Sequence, residues 1–350
     1  MDDSILLMYI SENSGHHSAT LAIERAIHSL NPAINVLNIN GFRHVSPFIE
    51  RIVNTLYMSA INRLPQVWDF LYDNPSVERR IKSLKEGVNK KNHEKIRGLI
   101  EGHHCKVVIC SQAFPCGMVA EYKKQYAPDL MLIAVVTDFV PHSYWIYDEV
   151  NYYVVASECA KEILMKKGIK EGKIKILGIP IDPKFNNKLE KIAVAKELGI
   201  QNDKPVILVM GGSRGFGPIK DIIRTIDNSN VDAYFLVVAG ANQRLFKWLQ
   251  KRNNRKHILA FPSIDYIDKL MSVSEVIVSK PGGITTAEAL TKQLPMIIVK
   301  PIPGQEDNNT NYLLRAGVAL KVDKIEDLGG VLASLLSDRQ RRSIIREKMS

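Results

Sequence analysis

The sequence contains no run of eighteen or more apolar residues, although apolar residues fill 45% of its 350 positions. A membrane-spanning helix needs about 20 consecutive apolar residues, so none is expected. The opening stretch MDDSILLMYISEN carries two acids where a secretory signal carries basic residues, and its apolar run is too short. We therefore expect a cytoplasmic protein. At this length two domains are expected rather than one.

Cysteine is also scarce, and its spacing is irregular. The four cysteines are Cys105, Cys110, Cys116 and Cys159, and no C-x-x-C pair occurs. This pattern favours reduced thiols over a disulfide framework and argues against a cysteine-only metal site.

Acidic residues are outnumbered, and the net charge of +10 is unevenly distributed. The stretch Arg79–Arg97 holds eight Lys or Arg against two Glu, and it follows an apolar, aromatic segment, Pro47–Asn74. The basic stretch is either a solvated face or a contact with an anionic membrane; the apolar segment is either a helix pair under the core or a lipid-facing surface. No RNA-binding aromatic signature or helix-turn-helix pattern is present, so no nucleic-acid partner is expected.

Short apolar runs alternate with helical patterns along the chain, which is typical of parallel sheets covered by helices on both faces. The pattern restarts at PVILVMGGSRG, after a polar stretch over residues 182–203. We predict an α/β protein with two doubly wound, Rossmann-like domains, residues 1–182 and 183–350, facing across a cleft. Ligands of such folds bind beyond the carboxyl ends of the strands, so the loops that follow strands are the informative ones.

The loop SENSGHHSATLAI follows the first predicted strand. Gly15 permits a tight turn, and His16 and His17 stand at the entry to a helix, where the helix N-terminus disfavours a cation. A neutral imidazole facing the cleft suits a general base, and His16 is the candidate. The alternative is a histidine that only caps the helix or packs locally.

The loop VVTDFVPHSYWIY follows the fourth predicted strand. Asp138 and His142 lie four residues apart and are followed by Trp145, so a polar pair meets an aromatic wall. We predict that these residues hold or orient the acceptor substrate, or that the polar pair stabilises the base. The alternative is an Asp-capped turn beside a core tryptophan.

Three motifs that contain glycine follow strands of the second half. MGGSRGFG contains Gly212 and Ser213 and suits a phosphate-facing loop, but it lacks the Lys-Ser/Thr ending of a P-loop. KPGGITTAEAL and PGQEDNN offer a helix N-terminus for an anion, together with carboxylates and amides for sugar hydroxyls. These groups together would suit a nucleotide-sugar donor. The candidate donor-binding residues are Gly282, Gly283, Ile284, Thr285, Glu288, Gly304, Gln305, Glu306 and Asn309.

In these motifs the sequence resembles the family 28 glycosyltransferases of the GT-B type. Within them it is similar to the group of monogalactosyldiacylglycerol synthases and processive diacylglycerol glucosyltransferases. The resemblance covers roughly residues 5–335 and is strongest where PGG-x-T-x-x-E-A and P-x-PGQE-x-x-N stand in register. TDFVPHSYW and SGHHSATLAI match two further patterns of the family. One departure is Asn13, where the family usually has glycine; asparagine tolerates left-handed backbone angles, so the turn is expected to survive.

The resemblance implies a role for each matching position. His16 takes the place of the base, and Gly212 and Ser213 fall in the diphosphate loop. Ser263 and Ile264 fall in the segment that reads uracil. Gly283, Ile284 and Thr285 would meet the diphosphate and Glu288 the ribose. Gln305, Glu306 and Asn309 would meet the donor sugar.

The implied activity is inverting transfer of a hexosyl group from UDP-glucose or UDP-galactose to diacylglycerol, with no cofactor and no metal. The implied partners are the UDP-sugar, diacylglycerol and an anionic membrane surface, with the enzyme peripherally bound from the cytoplasm. The alternatives are a UDP-GlcNAc-dependent transferase, a UDP-sugar 2-epimerase and a non-catalytic UDP-sugar sensor.

Overall fold

The computed structural model describes residues 3–45, 94–201 and 203–349. The segment Pro47–Asn74 and the basic stretch up to residue 93 lie outside the described residues. The chain divides into two compact units, Met1–Pro183 with Pro303–Asn308, and Lys184–Ile302 with Asn309–Ser350. The main division falls one residue from the boundary drawn at 182/183. The sequence analysis had assigned the short segment Pro303–Asn308 to the second domain, whereas the structure groups it with the first unit.

The first unit contains one parallel sheet of six strands in the order β2-β1-β3-β4-β5-β6. The strands are β1 (Ser4–Tyr9), β2 (Asn35–Asn40), β3 (Cys105–Cys110), β4 (Met131–Val135), β5 (Tyr152–Val155) and β6 (Ile174–Ile176). The helices are α1 (Gly15–Leu30), α2 (Gly41–Val45), α3 (Ala113–Tyr126) and α4 (Glu158–Lys166), with further helical turns over residues 94–102.

The central strands of this sheet are buried on both faces. Leu6, Leu7 and Met8 follow one another in β1 and are all fully buried. Such a continuous apolar run is expected where helices cover both sides of a parallel sheet.

The second unit contains another six-stranded parallel sheet, in the order β12-β11-β10-β7-β8-β9. Its strands are β7 (Val206–Met210), β8 (Tyr234–Val238), β9 (His257–Phe261), β10 (Val276–Ser279), β11 (Met296–Val299) and β12 (Ala319–Val322). Its helices are α5 (Lys191–Glu197), α6 (Ile219–Asp227), α7 (Gln243–Lys251), α8 (Ile267–Val273), α9 (Gly283–Thr291), α10 (Gln305–Ala316), α11 (Leu328–Ser337) and α12 (Arg339–Glu347).

Each sheet reverses its direction of winding at one point, and ligands of open α/β sheets bind there. In the first sheet the reversal lies between β1 and β3; in the second it lies between β7 and β10. The loops that follow these four strands are therefore the places where each unit can build a site. Within the described ranges, no helix is long and apolar enough to cross a membrane.

Candidate active site

The loop after β1 makes a tight turn before α1 begins. Ser11 and Asn13 adopt left-handed backbone angles, with φ of 63° and 54°. Ser14 caps the helix, since its Oγ accepts from the backbone N–H of His17 at 3.3 Å. The expectation that asparagine at position 13 preserves the turn is confirmed, because Asn13 holds the left-handed angle that glycine would otherwise supply.

His16 is fixed by two neighbours on the loops after β3 and β4. Its Nδ1 lies 2.8 Å from the carbonyl oxygen of Ser111 and 3.0 Å from Thr137 Oγ1. A carbonyl oxygen only accepts, so Nδ1 carries the hydrogen of the neutral ring and Nε2 presents a lone pair. The Thr137 hydroxyl oxygen is then a second acceptor beside the same N–H.

Ser111 and His16 are bonded in both directions. The Ser111 hydroxyl donates to the backbone carbonyl of His16 at 2.9 Å, while the Ser111 carbonyl accepts from the imidazole. Ser111 is fully buried, and its backbone N–H donates to Met8 O at 3.1 Å, which connects this pair of hydrogen bonds to β1. The position of the imidazole is thus determined by the backbone at the reversal point of the sheet.

Burial lowers the pKa of His16 from 6.5 to about 4, and the hydrogen bond to the Ser111 carbonyl opposes only part of this shift. Removal from water disfavours the charged ring, so the imidazole is neutral at pH 7. The sequence led us to expect the helix N-terminus as the cause of a lowered pKa, whereas the cause in the structure is burial. His16 is therefore in the protonation state that a general base requires.

The neighbouring His17 is held within its own loop. Its ring stacks on Tyr9 with centroids 4.2 Å apart, and its Nδ1 lies 3.7 Å from Glu12. Tyr9 in turn donates to Glu12 at 3.0 Å. These contacts fix the His17 side chain within the turn.

The three residues predicted on the acceptor side have different environments. Asp138 is buried and accepts a hydrogen bond from Gln305 Nε2. His142 is half-buried, with its ring centroid 6.0 Å from that of Trp145. Trp145 is only 1% exposed and belongs to the hydrophobic core of the first unit. The expected aromatic wall at Trp145 is therefore a core side chain.

The glycine-rich loop after β7 has a structural part and an open part. A Cβ at Gly211 or Gly215 would collide with the carbonyl oxygens of Phe216 and Ala239. Gly212 has a φ of 71°, but nothing lies within 4 Å of where its Cβ would stand. At Gly212 the backbone conformation requires glycine, while the space beside it stays open to a ligand. Ser213 is exposed next to it.

Helix α9 begins with unpaired backbone groups after β10. Gly282 is its N-cap and provides no side-chain cap, so the first-turn N–H groups of Gly283, Ile284 and Thr285 lack the partner that a capping side chain would give. The helix dipole adds partial positive charge there. This end of α9 suits an anion such as a diphosphate.

Asn309 supports this loop from α10. It is fully buried, and its Nδ2 donates to the carbonyl oxygen of Pro281 at 3.1 Å. The predicted direct contact of Asn309 with a donor sugar does not fit this placement. The residue instead fixes the backbone that leads into α9.

Glu288 lies in α9, beyond its first turn. Burial raises its pKa to about 8, with nearby Asp268 adding to the shift and Lys184 opposing it. At pH 7 the carboxyl is therefore mostly protonated and can both donate and accept hydrogen bonds.

The remaining candidate donor residues lie in two other places, the loop after β9 and the start of α10. Ser263 is exposed and Ile264 half-buried, and both follow β9. Gly304 has a φ of 84° and directly precedes α10, whose first two residues are Gln305 and Glu306. In the described ranges, no group of three or more His, Cys, Asp or Glu side chains could hold a metal ion.

Comparison with known families covers both units. Residues 16–181 match the family described as monogalactosyldiacylglycerol (MGDG) synthase, and residues 206–349 match the glycosyltransferase family 28 C-terminal domain. The chain belongs to this group of family 28 glycosyltransferases. The predicted family resemblance is confirmed.

The relatives of this family 28 glycosyltransferase include two curated proteins named processive diacylglycerol beta-glucosyltransferase. The one from Bacillus pumilus is 27% identical over 320 residues, covering 90% of this chain and 82% of the relative. The one from Bacillus subtilis is 28% identical over 312 residues, covering 85% and 80%.

Solved structures agree on the fold. Anabaena HepE in complex with UDP-glucose has a TM-score of 0.59 at 11% identity, covering 99% of this chain and 93% of that one. Acinetobacter baumannii MurG has a TM-score of 0.61 at 13% identity, covering 99% and 94%. The predicted fold class, two doubly wound α/β domains of the GT-B type, is confirmed.

Two residues of the candidate site in this family 28 glycosyltransferase were missed from the sequence. Ser111 was not named as a candidate, and Thr137 was quoted only within the motif TDFVPHSYW, without a role of its own. The available signal was topological: each directly follows a strand, and β3 is the neighbour of β1 across the reversal point. Polar residues at the ends of these strands are therefore candidates for the site, as the glycine-rich loops are.

Proposed function

We propose that the protein transfers a hexosyl group, with inversion, from UDP-glucose or UDP-galactose to the 3-hydroxyl of diacylglycerol. Membership of family 28 and the names of the curated relatives support the reaction class and the acceptor. The observation that carries the proposal is the neutral His16, whose Nδ1 is bonded to a carbonyl and whose Nε2 is left as a base.

In the proposed reaction, the acceptor oxygen bonds to the anomeric carbon from the face opposite the UDP. His16 Nε2 takes the hydroxyl proton as this bond forms. The bond from the anomeric carbon to the diphosphate oxygen breaks, and its electron pair leaves with UDP. Attack from the opposite face inverts the anomeric configuration.

The diphosphate charge would be stabilised without a metal ion. The first-turn N–H groups of Gly283, Ile284 and Thr285 and the loop of Gly212 and Ser213 supply backbone donors and the positive end of a helix dipole. Donors fixed before the reaction need no reorganisation as charge develops on the leaving group. No cofactor takes part in the proposed step.

The rest of the donor would be recognised by side chains and loops. Glu288 would bind the ribose hydroxyls, for which a carboxyl able to donate and accept is suited. The segment of Ser263 and Ile264 would contact uracil, and Gln305 and Glu306 the hexose.

Diacylglycerol resides in a bilayer, so we propose that the protein associates peripherally with a membrane. The sequence features that motivate this are the apolar segment Pro47–Asn74 and the basic stretch Arg79–Arg97, of which only residues 94–97 are among the described residues. No nucleic-acid partner is proposed.

The test is a transfer assay with radiolabelled UDP-glucose, UDP-galactose and UDP-GlcNAc, each with diacylglycerol in mixed micelles. We expect a labelled glycolipid from one of the first two donors, with its anomeric configuration, read by nuclear magnetic resonance, opposite to that of the donor. Labelled lipid only from UDP-GlcNAc, an epimerised nucleotide sugar, or UDP-sugar binding without turnover would each contradict the proposal.

A further inference from the structure

The second unit carries a cationic surface that the proposed reaction does not use. Residues 243–256 contain six Lys or Arg and no acidic residue. Helix α7 presents three of these cations at helical spacing, Arg244, Lys247 and Lys251, and all three are exposed. Leu245 and Leu249 of the same helix are buried. The helix therefore packs on one face, while its exposed face carries basic residues and glutamines and no acid.

The centre of this cationic surface is Trp248. Three cations lie over its half-buried ring: Lys220 Nζ at 5.4 Å, the Arg224 guanidinium at 5.9 Å and the Arg252 guanidinium at 5.3 Å. Each contact is favourable for the cation, but like charges gathered around one ring repel one another. Two carboxylates offset part of this repulsion, since Arg224 pairs with Asp221 at 2.7 Å and Arg252 with Asp227 at 2.9 Å. An external anion at this surface would relieve that repulsion.

The surface is held in place by a buried carboxylate. Asp227, at the end of α6, accepts from Arg252 Nη2 at 2.9 Å and from the backbone N–H groups of Arg255 and Lys256 at 2.7 and 3.2 Å. Burial acts to raise the pKa of Asp227, but these hydrogen bonds and the charge of Arg252 together lower it. The loop after α7 is thus anchored, while the side chain of Arg255 remains exposed.

We infer that this surface, defined by Lys220, Arg244, Lys247, Lys251 and Arg255 around Trp248, binds the anionic headgroups of a lipid membrane. The choice of a membrane rests on the proposed function, because diacylglycerol would have to be taken from a bilayer. A basic residue near an anionic bilayer raises partition by a factor of about five. This site is separate from the basic stretch Arg79–Arg97.

A nucleic acid is the competing polyanion, and the surroundings of Trp248 disfavour it. Proteins that bind single strands offer open aromatic faces on which bases stack. Here the ring is half-buried and three cations lie over it. The cations can meet phosphate, but the ring is not presented for stacking.

The test uses the full chain with Arg244, Lys247, Lys251 and Arg255 replaced together by Gln. The matched control replaces four exposed cations elsewhere by Gln: Lys170, Lys188, Lys196 and Arg315. Both variants lose four positive charges, so they separate a local surface from net charge. Unchanged thermal unfolding and UDP affinity would verify that both variants are folded. Flotation with vesicles of phosphatidylcholine, with and without phosphatidylglycerol, measures binding.

We expect the parent to bind vesicles that contain phosphatidylglycerol and to be released by added salt. The variant of the cationic surface should partition at least about tenfold less, and the control within about twofold of the parent. Equal flotation of the two variants would overturn the inference, and so would a parent indifferent to phosphatidylglycerol. Loss of binding to a DNA duplex with vesicle binding retained would also overturn it, in favour of a nucleic acid.

A separate readout distinguishes this inference from the proposed function. Turnover on a short-chain diacylglycerol dissolved as monomers should be the same in both variants and the parent, since none of the eight residues belongs to the candidate active site. If no glycolipid forms in any assay, the proposed function fails, while flotation still decides whether the cationic surface binds anionic lipid.

Discussion

The decrease of kcat at low pH tests the environment of His16 directly. With a pKa of about 4, nearly all of the imidazole is neutral at pH 5.5. With the ordinary value of 6.5, only about a tenth would be neutral at that pH. We therefore expect kcat to be nearly constant from pH 8 to 5.5 and to fall only as the pH approaches 4. An unburied base would already have lost about tenfold at pH 5.5.

The assay is the mixed-micelle transfer reaction at saturating UDP-sugar, so that titration of Glu288, with its pKa of about 8, affects donor affinity and not kcat. His16→Ala should lower kcat by about two to four orders of magnitude, the usual contribution of a general base, with UDP affinity retained. His17→Gln is the matched control on the same loop and should stay within about threefold of the parent. Circular dichroism at each pH excludes unfolding as the cause of the decrease.

The result that would refute this reasoning is a decrease of kcat near pH 6.5, or turnover of His16→Ala close to that of the parent. The first would mean that the imidazole is not desolvated during the reaction. The second would assign the proton transfer to another group. Folding stability gives an independent check: because the folded pKa of His16 lies below the unfolded one, its contribution is complete above pH 6.5 and is lost as the pH falls toward 4.

Three further changes test separate parts of the site. Thr137→Val removes the second acceptor beside His16 Nδ1 and should lower kcat up to about tenfold without changing the KM for UDP-sugar, while Thr137→Ser should restore it; a change in KM alone would contradict this positioning role. Glu288→Ala should weaken UDP binding by about 1–3 kcal/mol, measured by calorimetry, through loss of the ribose hydrogen bonds; unchanged affinity would remove Glu288 from the donor site. Trp145→Ala should destabilise the protein by about 3–5 kcal/mol in urea unfolding, as expected for a core tryptophan; a stable variant with a raised KM for acceptor would restore the predicted wall.

The sequence predicted the fold well because parallel sheets leave a strong signal. Runs such as the buried β1 alternate with helical periodicity, and five of the six strands of the second sheet stand out in this way. Strand β12 was missed because its four residues, Ala319–Val322, include a lysine and form no apolar run. A short strand at the edge of a sheet needs fewer apolar residues than a central one.

The site was only partly predictable, for two physical reasons. The main partner of His16 is the backbone carbonyl of Ser111, and a backbone acceptor leaves no trace in residue identity. Burial was the other hidden variable: Trp145 and Asn309 match motif positions, yet both side chains are enclosed. Residue type can suggest which groups suit a ligand, but only packing decides which of them can reach one.

The environment of His16, hydrogen-bonded in both directions to Ser111, affects the order in which bonds change in the proposed reaction. No carboxylate faces Nδ1 in the described contacts of His16, so no negative charge stabilises the imidazolium, and a conjugate acid with a pKa of about 4 is a strong one. Such a weak base cannot remove a proton from a free alcohol. It can do so as the oxygen becomes acidic by bonding to the anomeric carbon.

In the proposed reaction, proton transfer to His16 would then lag behind formation of the bond to the anomeric carbon. The first-turn N–H groups of α9 would then stabilise the diphosphate charge before the histidine has accepted its proton. An imidazolium this acidic gives its proton readily to water. The neutral imidazole would therefore be regenerated after each transfer, before the next acceptor binds.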